Sequence, residues 1–173
     1  MRWIWIDRIL ELHKGQRCVA LKNISLAEEV VHDHFARAGN RPPLPVMPNS
    51  LIIEGMAQTA GIMVGHANDF AEKVILAKIT RATFTAAATP GRSLRFTATM
   101  DRLEKWGAST SGIVELLDPA DGSVRPLASI DLMFSHIDNN RAGLEFPKHN
   151  FVFTDQFMDL LARSGFPSAV RTA

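Results

Sequence analysis

From Leu51 to Gly65 the chain is apolar apart from Glu54, Gln58 and Thr59. The apolar positions Leu51, Ile52, Ile53, Met56, Ala57, Ala60, Ile62, Met63 and Val64 recur around most of a helical circumference rather than along one stripe, which predicts a helix that must be surrounded. Asn49 or Ser50 can cap its start, so the helix is expected from about residue 49 or 50 to 66. The run falls short of the ~20 residues of a membrane span, so a buried core helix is the reading and no membrane insertion is expected.

On either side the pattern takes on strand character. Trp3–Leu12 and Arg17–Ile24 flank the polar turn His13-Lys14-Gly15-Gln16 and predict a hairpin. Downstream, Val74–Ala86, Ser93–Leu103, Trp106–Leu117 and Val124–Ser135 are separated by Thr89-Pro90-Gly91, Glu104-Lys105 and Asp118-Pro119-Ala120-Asp121-Gly122, an antiparallel run. One apolar helix with about six strands is an α+β pattern in which a sheet wraps a helix. Residues 27–48 hold no period and include Gly39-Asn40-Arg41-Pro42-Pro43-Leu44-Pro45, which predicts a long loop. The chain divides into a main domain over 1–137 and a C-terminal extension over 138–173. The extension holds a loop at Asn139-Asn140-Arg141 and a short amphipathic helix, Thr154–Arg163, whose Phe157, Leu160 and Leu161 share a face expected to dock on the body.

Composition narrows the classes of function. In 173 residues, 19 Lys plus Arg oppose 18 Asp plus Glu without a block of either sign, which argues against a nucleic-acid partner. The single cysteine, Cys18, cannot form an intrachain disulfide. The amino terminus reaches Asp7-Arg8 before an apolar stretch of signal-peptide length, so a cytoplasmic location is expected.

Two residues stand out chemically. Glu54 is either a buried carboxylate needing a partner or a proton, or a helix-entry acid near solvent favoured by the macrodipole. Gln58, one turn on, can share its face and bond to it. His34, beside Phe35 at a loop edge, reads on its own as a packed or solvated residue. His32 and His34 with Asp33 have a spacing that could start a metal site, but no further ligand cluster follows, so none is expected. Phe84, Phe96 and Trp106 are read as core, and His66 as a cation near the helix C-terminus.

The stretch Val31-His32-Asp33-His34-Phe35, then Leu44-Pro45-Val46-Met47-Pro48-Asn49-Ser50-Leu51-Ile52-Ile53-Glu54-Gly55-Met56-Ala57-Gln58, resembles the signature of the 3-hydroxyacyl-acyl-carrier-protein dehydratases. Ile6–Leu12, Lys22-Asn23-Ile24, Ala77-Lys78-Ile79 and Thr89-Pro90-Gly91 extend the likeness over roughly residues 3 to 136. The resemblance implies a hotdog fold and dehydration of 3-hydroxyacyl thioesters to trans-2-enoyl thioesters in fatty-acid or related lipid biosynthesis. His34 would be the base and Glu54 the acid, with Asn49, Ser50 and Gln58 at the oxyanion and substrate. It implies acyl carrier protein as partner, no metal, and no cofactor beyond the carrier's phosphopantetheine arm. It also implies a homodimer or homohexamer in which His34 and Glu54 of one site come from different subunits. Met47, Met56 and Met63 would be core or acyl-tunnel lining. Two features depart from the pattern: Asn49 stands where glycine is typical, and Ala36–Pro43 lengthens the loop. The alternatives are a thioesterase on the same fold and a catalytically silent relative that binds acyl carriers.

Overall fold

Alternation of buried and half-buried residues along β4 (Ser93–Glu104), β5 (Gly107–Leu117) and β6 (Val124–His136) turns one sheet face towards the interior. In the computed structural model, which describes residues 3–137 and 150–167, these strands join β1 (Arg8–His13), β2 (Arg17–Asn23) and β3 (Val74–Phe84) in one antiparallel sheet. The order is β1-β2-β4-β5-β6-β3, so β3, although third in sequence, closes the far edge against β6. The loop at Asn139-Asn140-Arg141 lies outside the described residues.

The sheet curls round α2 (Asn49–Ala67), which touches β2, β3, β4, β5 and β6. Ile52, Met56, Ala60, Ile62, Met63 and Val64 of the helix are buried against Phe96, Val114, Ile130 and Leu132 of the sheet side. Close approach depends on small residues: a β-carbon on Gly55 would fall 2.5 Å from the Phe96 ring, and one on Gly112 would fall 2.4 Å from Met56 Sδ. The helix is not enclosed all round, however. Glu54, Ala57 and Gly61, at successive turns, form a half-buried stripe left open by the chain's own sheet.

Three local expectations change. The first strand begins at Arg8 rather than Trp3, because residues 3–6 leave the sheet and the backbone N–H of Trp5 donates to Gln58 Oε1 at 2.8 Å. The 27–48 loop contains a single helical turn, α1 (Glu29–His32), too short to show a period; buried Val31 and the Lys22–Glu28 ion pair fix it. Trp106, expected in the core, is 51% exposed at the β4–β5 turn, where Lys105 lies over its ring. Phe96 is fully buried and Phe84 packs at the edge of the core.

In the C-terminal segment, α3 (Asp155–Arg163) buries Leu160 and Leu161 and docks on β1, where Ser164 Oγ accepts from the N–H of Ile9 at 3.0 Å.

Candidate active site

His34 follows α1 on the loop that leads into α2, and its surroundings fix its proton. Its Nδ1 is 3.0 Å from the carbonyl oxygen of Val46. A carbonyl can only accept, so Nδ1 carries the hydrogen, and Nε2 of the neutral ring holds a lone pair that can take a proton. Phe35 stacks on the ring at 4.5 Å. The lengthened stretch 36–43 does not disturb this arrangement. The N–H of Leu44 donates to the carbonyl of Phe35 at 2.9 Å, closing the neck of the excursion, and Gly39 at φ +58° turns its tip between the bridged residues Ala38 and Arg41.

His34, Phe35, Val46, Met47, Asn49 and Ser50 line one cavity of about 470 Å³. Asn49 and Ser50 are the first two helical residues rather than the cap, which is Pro48, and no side chain caps the helix. Pro48 accepts the first two intrahelical bonds, from Leu51 and Ile52 at 3.0 and 3.2 Å. The N–H groups of Asn49 and Ser50 precede the first helical bond and have no intrahelical acceptor, so both can serve an anion in the cavity. Asn49 is exposed and lies in an ordinary helical turn, with no requirement for glycine's freedom.

Glu54 and Gln58 lie on the open stripe of α2, beginning one turn beyond Ser50, and line a second cavity of about 220 Å³. Glu54 is half-buried. Its Oε1 accepts from Gln58 Nε2 at 2.8 Å and from the Trp3 indole N–H at 3.0 Å, and no described residue donates to Oε2. Gln58, buried, is itself held by the backbone of the amino-terminal segment: Nε2 donates to the Trp3 carbonyl at 3.1 Å, and Oε1 accepts from the Trp5 N–H. The carboxylate is thus oriented from two sides with one oxygen left for a ligand.

The five sequence-derived site residues therefore fall into two groups, His34 with Asn49 and Ser50, and Glu54 with Gln58, which line different cavities of one chain. Sequence reading missed Trp3, whose bond to Glu54 spans 51 positions, and Val152, Phe153 and Phe157, which form part of the Glu54 cavity wall. Trp3, Val152 and Phe153 lie in short stretches without a period, and Phe157 signals only the apolar face of its helix, not what that face covers. Met47, Met56 and Met63 are buried, and Met47 also borders the His34 cavity. His32 lies against the carboxylate of Asp33, and the described residues contain no cluster of three or more potential metal ligands. His66 stands in the last turn of α2, as expected; burial, then the charge of Lys14, hold its pKa below the usual imidazole value, and its ring stacks on Phe70. No described helix is long and apolar enough to cross a membrane.

Residues 3–122 match the model of the FabA-like domain. The chain is 31% identical over 115 residues to the 3-hydroxyacyl-acyl-carrier-protein dehydratase FabZ of Caldanaerobacter subterraneus subsp. tengcongensis, spanning 66% of this chain and 77% of that relative. It is 31% identical over 137 residues to the enzyme of the same name from Herpetosiphon aurantiacus, spanning 79% and 89%. Among solved structures, a thioesterase family protein from Silicibacter pomeroyi matches with a TM-score of 0.60 over 75% of this chain and 83% of its own, at 13% identity. Likeness at that distance is of fold alone, the hotdog arrangement of a sheet wrapped round a helix. Residues 150–167 lie beyond the span of the family model.

Proposed function

Because the chain belongs to the FabA-like family, we propose that it removes water from 3-hydroxyacyl thioesters carried on acyl carrier protein, giving trans-2-enoyl thioesters in fatty-acid or related lipid biosynthesis. The single observation that carries the chemistry is the bond from His34 Nδ1 to the Val46 carbonyl, which leaves Nε2 as a base.

In this reading Nε2 of His34 takes the proton from C2, next to the thioester carbonyl. The electrons of the broken C–H bond form the C2=C3 double bond, and the C3–O bond breaks. Glu54, entering the step as the neutral acid and oriented by Trp3 and Gln58, holds the 3-hydroxyl and supplies the proton that lets it leave as water. The negative charge that builds on the thioester oxygen meets the free N–H groups of Asn49 and Ser50 at the positive end of α2. The proton then returns from His34 to Glu54, and both groups are reset. The acyl group arrives on the carrier's phosphopantetheine arm, and this mechanism uses no metal or further cofactor.

A second copy of the chain completes the site. β3 is an edge strand exposed at eight consecutive positions, and among the described residues no strand pairs with its outer side. Leu76 of that strand also lines the Glu54 cavity, so a copy docked along β3 covers the open stripe of α2. A site shared across that interface joins the His34 cavity of one subunit to the Glu54 cavity of the other, which accounts for the two groups standing apart within one chain. Exposed Arg37 and Arg41, on the excursion beside His34, have the charge that suits the phosphodiester of the carrier arm.

Mass spectrometry of a 3-hydroxyacyl carrier substrate tests the reading. Loss of one water from the acyl chain is expected with the wild type and not with His34→Ala or Glu54→Gln. An inert wild type, or release of free acid, overturns it.

A further inference from the structure

The helix face that carries Glu54 runs through Gln58 and Gly61, which line its cavity, to buried Gly65 one turn further on. It starts polar, at the carboxylate, and ends apolar. Over Gly65 lies Phe153, so close that a β-carbon on the glycine would fall 2.3 Å from Cζ of that ring. Phe153 also meets Phe70 edge to face, with ring centroids 4.9 Å apart. Val152 and Phe157 stand beside it on the wall of the same cavity as Glu54.

This end of the cavity is fixed in place. Asn150 Nδ2 donates to the carbonyls of Phe70 and Glu72, both at 3.1 Å, and its Oδ1 accepts from the N–H groups of Val152 and Phe153 at 3.0 and 3.2 Å. At the other end of the segment, Ser164 is tied to β1. Side-chain-to-backbone hydrogen bonds at Asn150 and Ser164 tie the segment at both ends, and the Phe153 ring is set against Gly65 of the helix, the restraints of a stop rather than a flap.

We propose that residues 150–157 close the acyl channel and set the length of chain the enzyme accepts, an inference that rests on the dehydratase reading for the identity of the ligand. The distance along α2 from Glu54 to Gly61 is about 10 Å, and each carbon of an extended chain advances a little over 1 Å. With C3 held at Glu54, the channel admits acyl groups of about ten carbons or fewer and excludes much longer ones. Selectivity thus resides in a segment beyond the span matched by the family model.

The test uses the full chain with 3-hydroxyacyl pantetheine thioesters of about four to sixteen carbons, read as kcat/KM, and amide analogues of the same lengths, read as Kd by calorimetry. Wild type is expected to lose activity and affinity beyond about ten carbons, with Phe157→Ala and Val152→Ala each raising the long-to-short ratio at least about tenfold. Gly61→Ala moves the limit the other way and does not threaten the fold, since its β-carbon would lie 3.7 Å from the nearest atom, Phe134 Cε1. If Phe157→Ala lowers the melting temperature, Val152→Ala and Gly61→Ala carry the result. A wild type that accepts sixteen carbons as readily as six, or folded variants with an unchanged ratio, overturns the proposal. Should the wild type dehydrate nothing, the dehydratase reading fails. In that case the amide series still decides: a length limit that shifts with the variants upholds the stop, and flat binding rejects it.

Discussion

Gly65 and Phe153 are in contact across 88 positions of sequence, the glycine leaving room on α2 for a ring that a single β-carbon would displace. The same ring meets Phe70, so the contact joins the C-terminal segment, the end of α2 and the turn that follows it.

Gly65→Ala is therefore expected to destabilise the protein by about 1–3 kcal/mol, the usual cost of overpacking a filled site. Gly61→Ala, one turn earlier, meets only an ordinary contact at 3.7 Å and should be neutral or gain up to ~1 kcal/mol of helix propensity. Urea unfolding of the two variants beside the wild type checks the contrast, and equal midpoints would show that Phe153 does not hold its place on the helix.

If each site is built from two subunits, His34→Ala and Glu54→Gln complement each other. Each variant is inactive alone, but mixed after unfolding and refolding they form dimers in which one of two sites is intact, and about a quarter of wild-type activity is expected by random assortment. No recovery in a mixture shown by native mass spectrometry to contain heterodimers would place both residues in a site within one chain.

Trp3→Phe removes a donor to Glu54 Oε1 while keeping an aromatic ring. Trp3 is 54% exposed, so the melting temperature should hardly move. The carboxylate loses one of its two orienting bonds, and kcat is expected to fall about threefold to tenfold with KM little changed. A lower melting temperature with unaltered kcat would make Trp3 a packing residue.

Arg37→Glu with Arg41→Glu should raise KM for a substrate on acyl carrier protein several-fold, more at low salt than at high, because exposed charges act through encounter. With a simple pantetheine thioester, which lacks the phosphodiester and the protein, KM should stay put. An equal rise for both substrates would mean that the excursion shapes the pocket instead.

Burial, then the charge of Glu11, push the Cys18 thiol up from its ordinary 9.0 to about 12. The folded state favours the neutral thiol, so its contribution to stability is fully present below pH 9 and is lost as pH rises from there towards 12. Stability should therefore fall less steeply above pH 9 in Cys18→Ala than in the wild type. Native protein near that pH should resist alkylation by iodoacetamide, and unfolded protein should not.

Much of the architecture is legible from short-range pattern. The apolar circumference of 51–64 gives the central helix, and the segments of strand character between turn residues after Val74 give four strands within a few residues of their observed ends. The bond between Gln58 and Glu54 also follows from spacing, since residues four apart on a helix are neighbours. His34 is different. Its local sequence suggests only a packed or solvated ring, and the family resemblance singles it out. The Val46 carbonyl that sets its tautomer lies 12 positions on, across a loop with no period.

What the sequence determined by itself was whatever neighbouring residues decide: helix and strand periods, turn chemistry, and the pairing of Glu54 with Gln58. Only the tertiary structure decided that Trp3 reaches Glu54, that β3 closes the edge beside β6, that α2 keeps an open stripe, and that Phe153 lies over Gly65. The physical reason is that burial is rewarded per area without regard to order along the chain. A tryptophan or phenylalanine looks the same in sequence wherever it docks, and the partner that gives it a role is chosen by the shape of the assembled core.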